Sequence, residues 1–274
     1  MEQDFGYSPC PNDTFMFWAW VHGRVETPLT LRPRLFDIQE LNRRALSDDP
    51  LGLSKVSIPT YLHPTVRERY RLLDVGAALG RGCGPLLIAK ERWGNGSRRP
   101  LRVAIPGRNT TAYELARMAA SEWVTEWVEM RYDEIMPEVL KGVKVDAGVI
   151  IHESRFAYQA LGLHCAVDLG GWWEEVTGLP LPLGVMLARQ DLGENLISAC
   201  EAALRASIEL GWKALACEPK DDSLWSYLRT NAIELEESTI RSHIELYVTD
   251  FSSDLGALGR QAIEEFARRL ARLA

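Results

Sequence analysis

Cysteines are few in this 274-residue chain, and no two of them form a CxxC pair. The five that occur are Cys10, Cys83, Cys165, Cys200 and Cys217. An odd count without paired spacing predicts neither a disulfide framework nor a zinc site. The pattern fits a reducing compartment.

The chain also lacks a long apolar run and a basic leader. The apolar stretch at residues 15–21 is too short to cross a bilayer, and the N-terminus carries Glu2 and Asp4 where a signal peptide needs basic residues. We therefore expect a cytoplasmic protein with no membrane partner.

Clustered positive charge is missing as well. The net charge is −7 and the pI is near 5.4, and basic residues occur only in short groups such as Arg98-Arg99 and those of the last helix. These groups are typical of solvated loop and helix charge, so a nucleic-acid partner is not expected.

What is present is an alternation of short apolar runs with longer stretches of helical period, which is typical of α/β proteins. Apolar residues recur at helical spacing over 196–215 and 263–273. The predicted strands are Leu29–Leu31, Gly52–Val56, Leu86–Ala89, Leu101–Ile105, Ala147–Ile151 and Val185–Ala188. The length allows one large domain or two lobes.

Two stretches have the composition of connections between lobes. Residues 93–100 are rich in glycine and polar side chains, and residues 171–184 are rich in glycine and proline toward their end. If the chain crosses at these points, residues 1–97 and 186–274 form one discontinuous lobe and residues 98–185 form an inserted second lobe.

Ligands of open α/β sheets gather where a strand ends and a helix begins, so polar residues at such junctions are candidate binding residues. The stretch YSPCPNDT, residues 7–14, brings Ser8 and Asn12 in front of an apolar helix, and Asn12 or Asp13 is a natural N-cap. Ser57 stands before Pro59 in the same way. Helix capping alone is the competing interpretation of both places.

A third junction reads Asn109-Thr110-Thr111. Thr111 and Glu114 have the spacing of a capping box, which would commit both side chains to the backbone and leave Asn109 and Thr110 to hold a carboxylate or hydroxyl groups. The stretch matches no Walker pattern.

At the fourth junction, His152 directly follows an apolar strand and precedes a predicted helix. It is the one histidine of five with this placement. An imidazole near its ordinary pKa of about 6.5 can accept a proton at neutral pH, so His152 is a candidate general base. A plain surface or core histidine is the alternative.

Three further features have weaker functional interpretations. Arg81 could hold an anion or be solvated, and Trp172-Trp173 could flank an aromatic ligand or pack at a hinge. Cys10 has no histidine near it in the sequence, which favours packing between Pro9 and Pro11 over a nucleophilic role.

Four motifs in this order resemble the 1,4-dihydroxy-6-naphthoate synthase family of the futalosine route to menaquinone. They are SPCPNDTFMF at 8–17, NTTA at 109–112, GVIIHESRF at 148–156 and WWEEVTGLPLPLG at 172–184, and the resemblance extends over essentially the whole chain.

The resemblance implies a two-lobed fold like the type II periplasmic binding proteins, with an interlobe active-site cleft. It also implies that cyclic dehypoxanthinyl futalosine is split into 1,4-dihydroxy-6-naphthoate and dihydroxyacetone, with no metal or organic cofactor. His152 matches the catalytic base of the family. Thr110, Thr111 and Ser57 fall where the family binds polar groups of the substrate, and residues 37–42 resemble a short acidic element ending in Asn42.

Other interpretations stay open at this stage. A solute-binding protein or a small-molecule sensor would use the same fold, although a binding protein working outside the membrane needs an export signal. The related chorismate dehydratase of the same pathway is a closer alternative. The sequence leaves the oligomeric state open, a homodimer included.

Overall fold

The computed structural model describes residues 2–92, 101–152, 154–217, 220–232 and 236–273. Strands and helices alternate along this part of the chain, which confirms the predicted α/β class. The strands are β1 (Glu2–Tyr7), β2 (Thr30–Leu35), β3 (Leu53–Ser57), β4 (Tyr70–Leu72), β5 (Ala78–Gly80), β6 (Leu86–Ala89), β7 (Leu101–Ile105), β8 (Val124–Glu129), β9 (Ala147–Ile150), β10 (His164–Asp168) and β11 (Leu181–Arg189). The helices are α1 (Pro11–Val21), α2 (Ile38–Leu46), α3 (Ile58–Leu62), α4 (Pro64–Arg69), α5 (Thr111–Ala120), α6 (Tyr132–Lys141), α7 (Ser154–Ala157), α8 (Leu169–Thr177), α9 (Glu194–Ala216), α10 (Asp222–Asn231), α11 (Glu237–Tyr247), α12 (Asp250–Ser253) and α13 (Gly256–Leu270), with 3₁₀ turns at Ser121–Trp123 and Gln190–Leu192.

The strands form two sheets, one for each lobe. The first sheet has the order β2-β1-β3-β11-β4, and β5 also pairs with β11. Its β1 runs parallel to β2 and β3, whereas β11 runs antiparallel to its three neighbours. The second sheet has the order β10-β6-β9-β7-β8, with parallel pairing of β7 to β8 and β9. The carboxyl ends of β1, β3, β7 and β9 are followed by chain segments that line a common cavity.

All six predicted strands overlap strands of the structure, but β1, β4, β5, β8 and β10 were not predicted. The sequence of β1, EQDFGY, is polar over its first half, and β8 (VTEWVE) is an edge strand with half-buried and exposed side chains. Strands of this kind lack the continuous apolar run that made the central strands recognisable.

The two sheets divide the chain earlier than the predicted lobe boundaries. β6 belongs to the second sheet although residues 86–89 fall before the predicted boundary at 98, and β11 enters the first sheet at Leu181. The predicted linker at 93–100 lies outside the described residues. We propose that the lobes meet at the β5–β6 and α8–β11 connections.

The first of these connections depends on glycine. Gly84 has a φ of +126°, a conformation that L side chains rarely adopt. A Cβ atom on Gly170, at the start of α8, would lie 1.9 Å from the carbonyl oxygen of Cys83. The close approach of these two backbones brings Gly84 and Pro85 to the wall of the cavity.

The apolar stretch that begins at Phe15 forms the centre of the first lobe. Ten of the eleven residues of α1 are buried, so the helix is enclosed on all sides, as is typical of a core helix. It packs against α9, where Ser207 accepts a hydrogen bond from the N–H of Trp20 and donates one to the carbonyl of Met16. This packing fixes the first turn of α1, which carries the polar residues of the site.

Candidate active site

A cavity with about 650 Å³ of empty space, part of it open to solvent, lies between the two sheets. Its wall draws on both lobes and on α11. The lining residues are Ser8, Asn12, Asp13, Ile38, Lys55, Ser57, Ala78, Gly84, Pro85, Thr110, Thr111, Ala112, Ile151, His152, Leu183, Gly184, His243 and Tyr247. Six of the seven site residues predicted from the sequence are thereby brought together, and Asn109 is the exception.

His152 lies where the sequence placed it, between the end of β9 and the start of α7. Its φ of 58° makes it the one described non-glycine residue in the left-handed region. Such a conformation costs of order 1–3 kcal/mol for a residue with a Cβ and persists only where surrounding contacts hold it. The ring of Tyr132 packs edge-on against the imidazole, with centroids 5.1 Å apart.

Cys10 contacts this histidine, contrary to the interpretation of Cys10 as packing alone. The Sγ atom of Cys10 lies 3.0 Å from Nδ1 of His152. The contact could not be predicted from the local sequence, because the two residues are 142 positions apart. Cys83 and Cys200 are also buried, but burial raises the pKa of each of their thiols to about 12, which leaves them unreactive.

The first turn of α1 differs from the predicted capping. Cys10, and not Asn12 or Asp13, is the N-cap residue, and its side chain makes no capping bond. Pro11 occupies the first helical position, where its missing N–H needs no partner. The carboxylate of Asp13 therefore turns back to Ser8, from which it accepts hydrogen bonds of 2.7 Å from Oγ and 3.2 Å from the backbone N–H.

Asp13 is also the partner of a buried lysine. Lys55 on β3 is 2% exposed, and its Nζ atom lies 3.3 Å from Oδ1 of Asp13. The same ammonium donates a hydrogen bond to the carbonyl of Gly76. Burial lowers the pKa of Lys55, and the carboxylate of Asp13 opposes that shift. The cavity floor thus holds a paired charge and not a free cation.

Ser57 lies at the N-cap position of α3 as predicted, but its hydroxyl does not cap the helix. Asn42 holds it in place: Nδ2 donates to the Ser57 hydroxyl at 3.0 Å, and Oδ1 accepts from the Ser57 N–H at 2.8 Å. Asn42 is fully buried and positions Ser57 from behind. The same amide donates to the carbonyl of Asn109, so Asn109 takes part in this network through its backbone and not its side chain.

Thr110 and Thr111 exchange the roles expected of them. Thr110 is the N-cap of α5: its hydroxyl accepts from the N–H of Tyr113 and donates to the carbonyl of Gly107. The hydroxyl of Thr111 accepts from the N–H of Ile58 at 3.2 Å and donates to the carbonyl of Leu183 at 2.6 Å. Thr111 therefore joins the second lobe to the first at the cavity wall.

Two lining residues on α11, His243 and Tyr247, were not predicted. The helix reads ESTIRSHIELY, and nothing in its pattern separates His243 from a core histidine. His243 is buried, and desolvation, together with the nearby His152 and Arg155, lowers its pKa well below 6.5. Burial raises the pKa of Tyr247 to about 12, so its hydroxyl stays protonated.

The remaining candidates lie away from the cavity. Arg81 donates to the carbonyl of Gly178 at the end of α8 and faces Glu174. Trp173 is fully buried, donates from its indole N–H to the carbonyl of Pro180 and packs against Phe266. These contacts place Trp173 in the packed core and not on the cavity wall.

Among the residues that the structure describes, no group of three or more His, Cys, Asp or Glu side chains could hold a metal ion. Within the same ranges, no helix is long and apolar enough to cross a membrane.

Two sheets with flanking helices and a cavity between them define an α/β protein of the periplasmic-binding-protein fold. A ligand-binding component of an ABC-type import system from Staphylococcus aureus shares this fold, with a TM-score of 0.70 over 99% of this chain and 92% of that one, at 12% identity. A crystal structure of a protein from Archaeoglobus fulgidus is more similar, with a TM-score of 0.89, 32% identity, and coverage of 99% and 97%.

Sequence relatives narrow this class to one family. A family model described as menaquinone biosynthesis matches residues 4–272. A Thermus thermophilus protein named 1,4-dihydroxy-6-naphthoate synthase is 50% identical, over 94% of this chain and 90% of its own length. A protein of the same name from Streptomyces coelicolor is 42% identical, over 97% and 91%. The chain belongs to the menaquinone biosynthesis family.

Proposed function

We propose that this protein is a carbon–carbon lyase that converts cyclic dehypoxanthinyl futalosine to 1,4-dihydroxy-6-naphthoate and dihydroxyacetone, with His152 as general base. The placement of His152 carries the proposal: its imidazole lines the cavity at the end of β9, opposite hydroxyl and amide groups of the first lobe. Full-length similarity to two proteins named 1,4-dihydroxy-6-naphthoate synthase supports the naphthoate as the product.

The proposed chemistry begins at a hydroxyl group on the sugar-derived ring. His152 accepts the hydroxyl proton, the oxygen forms a carbonyl, and the adjacent carbon–carbon bond breaks with its electron pair moving into the bicyclic system. Formation of the naphthalene ring favours this cleavage. The protonated imidazole then returns its proton as a general acid, so that the base is regenerated.

Different parts of the cavity wall suit the polar and the apolar groups of the substrate. Ser57 lines the cavity with a hydroxyl that does not cap its helix. The ten-residue helix α5 begins at the cavity wall beside Thr110, where the helix dipole and the remaining first-turn N–H groups favour anionic or polar atoms. Apolar wall residues such as Ile38, Ala112 and Leu183 suit an aromatic ring. Lys55 is committed to Asp13 and Gly76, which leaves the start of α5 as the site we propose for the carboxylate.

The direct test is turnover of purified protein with cyclic dehypoxanthinyl futalosine, with chromatographic detection of both products. Chorismate serves as the second substrate, because consumption of chorismate would indicate the dehydratase of the same pathway. Release of the naphthoate with no consumption of chorismate is the expected result. Binding of the futalosine compound without product release would replace the enzyme with a binding protein or sensor.

A further inference from the structure

The second histidine of the cavity, His243, has a fixed tautomer. The Nδ2 group of Asn12 donates to Oδ1 of Asp13 at 2.9 Å, and a carboxylate can only accept, so the orientation of the Asn12 amide is determined. Oδ1 of Asn12 then faces Nε2 of His243 at 3.0 Å. An amide oxygen only accepts, and therefore Nε2 carries a proton.

The opposite nitrogen of the same ring has no such partner. Nδ1 of His243 is buried and makes no hydrogen bond to any residue that the structure describes. Burial and the neighbouring His152 and Arg155 disfavour the charged ring, so Nδ1 presents a lone pair. A buried acceptor left unsatisfied destabilises a fold, and each one in a native structure calls for a specific explanation.

The surroundings of the ring connect this acceptor with the cavity. His243 is one of the lining residues, and its ring lies against Tyr247 and Phe156, with centroids 4.7 Å and 6.3 Å away. The groups that bear on it from other elements are Asn12 of α1 and the His152 and Arg155 side chains near α7. None of these supplies a hydrogen bond to Nδ1.

We propose that substrate binding uncovers Nδ1 of His243, that this nitrogen then accepts a hydrogen bond from a hydroxyl group of the substrate, and that Lys55, Asp13 and Asn12 form a buried row that presents it unprotonated. The inference rests on the proposed function for the identity of the substrate. His243 then holds the sugar-derived part of the molecule by this hydrogen bond.

The tautomer can be tested without any turnover. Protein with ¹⁵N-labelled histidine should show, for the resonance lost in His243→Gln, an Nδ1 without an attached proton and an Nε2 with one. A proton on Nδ1 in the free protein would overturn the proposal. This spectrum reports on the histidine alone, so its result is independent of which substrate the protein takes.

Kinetics then separate a substrate contact from a structural role. His243→Gln retains a side-chain donor for Asn12 but removes the acceptor at Nδ1, and should lower kcat/KM about 10-fold, which is typical for one hydrogen bond. His243→Asn returns an oxygen near the Nδ1 position and should recover part of the loss. His22→Gln, on a histidine outside the cavity wall, is the matched control.

Substrate analogues that each lack one hydroxyl group complete the experiment. With the analogue that lacks the hydroxyl bound by Nδ1, His243→Gln should be no slower than the wild type, because neither protein can then form this hydrogen bond. An equal penalty with every analogue, or no penalty with the full substrate, would overturn the inference. A wild type that fails to process cyclic dehypoxanthinyl futalosine at all would instead overturn the proposed function.

Discussion

The thiol of Cys10 contacts the imidazole of His152, with Sγ 3.0 Å from Nδ1. Cys10 stands at the N-cap of α1 in the first lobe, and His152 lies two residues after the end of β9 in the second sheet. The contact therefore ties the proposed base to the opposite lobe and helps to hold a residue whose φ of 58° is costly on its own. It follows that the position of the imidazole depends on how the two lobes are placed.

Replacement of His152 should remove turnover and leave the fold intact. We expect His152→Ala to lower kcat by roughly 10² to 10⁴-fold, which is the usual contribution of a positioned general base. The left-handed backbone suits alanine no better than histidine, so His152→Gly is a useful second variant. Product formation and the melting temperature are the two measurements.

An exposed histidine provides the control for this experiment. His63 lies between α3 and α4, away from the cavity wall, and His63→Ala should keep the wild-type rate. A His152→Ala protein that retained wild-type turnover would contradict the assignment of the base.

The thiol of Cys10 should influence the rate through the imidazole. We expect Cys10→Ala to lower kcat by about 2- to 10-fold, the range for one hydrogen bond, and Cys10→Ser to lose less because a hydroxyl can replace the thiol. Cys200→Ala removes a buried thiol of α9 outside the cavity wall and should affect only the melting temperature. Equal rates for Cys10→Ala and the wild type would assign Cys10 to packing.

The sequence was sufficient for those parts of the fold that repeat a local pattern. Continuous apolar runs marked the buried strands, and a histidine directly after one of them, His152, lay at the cavity as expected. The strand β1 was missed because its first half is polar. The membership of β6 in the second sheet could not be read from composition, which shifts most strongly later, at 93–100.

The contacts within the site depend on residues that are distant in the chain. Asn12 was predicted to cap a helix or bind substrate; it does not cap α1, and its amide joins Asp13 to His243, which is 231 positions away. Thr111 was predicted to cap α5, but Thr110 does so, because the helix begins at residue 111. A capping motif identifies the end of a helix to within one residue, and that one residue decides which hydroxyl faces the other lobe.

Removal of one partner of the buried ion pair between Lys55 and Asp13 should strongly destabilise the protein. Lys55→Met leaves the Asp13 carboxylate buried without its cation, and we expect a loss of about 3–5 kcal/mol in the free energy of unfolding. Lys213→Met removes an exposed partner of Glu209 and should change the free energy of unfolding far less, because solvent screens such a pair. Denaturant titration of both variants compares the two values, and equal losses would contradict the buried pairing.

The low pKa of His243 should make stability depend on pH. Below about pH 6.5 the unfolded chain binds a proton at this histidine that the folded protein does not, so the free energy of unfolding falls as the pH drops. The slope is about 1.4 kcal/mol per pH unit for one proton. His243→Gln should flatten the profile between pH 5 and pH 6.5 relative to the wild type. Parallel profiles for the variant and the wild type would mean that His243 binds its proton equally well in the folded protein and in the unfolded chain.

Thr111 should matter for the junction between the lobes. Thr111→Val keeps the shape of the side chain but leaves the Leu183 carbonyl and the Ile58 N–H without their partner, at a cost of about 1–3 kcal/mol for each buried group. Thr111→Ser retains the hydroxyl and should remain close to the wild type. Since Thr111 also lines the cavity, we expect KM for the proposed substrate to rise in Thr111→Val. Denaturant unfolding together with steady-state kinetics measures both effects, and a Thr111→Val protein with unchanged stability would show that the lobes do not depend on this hydroxyl.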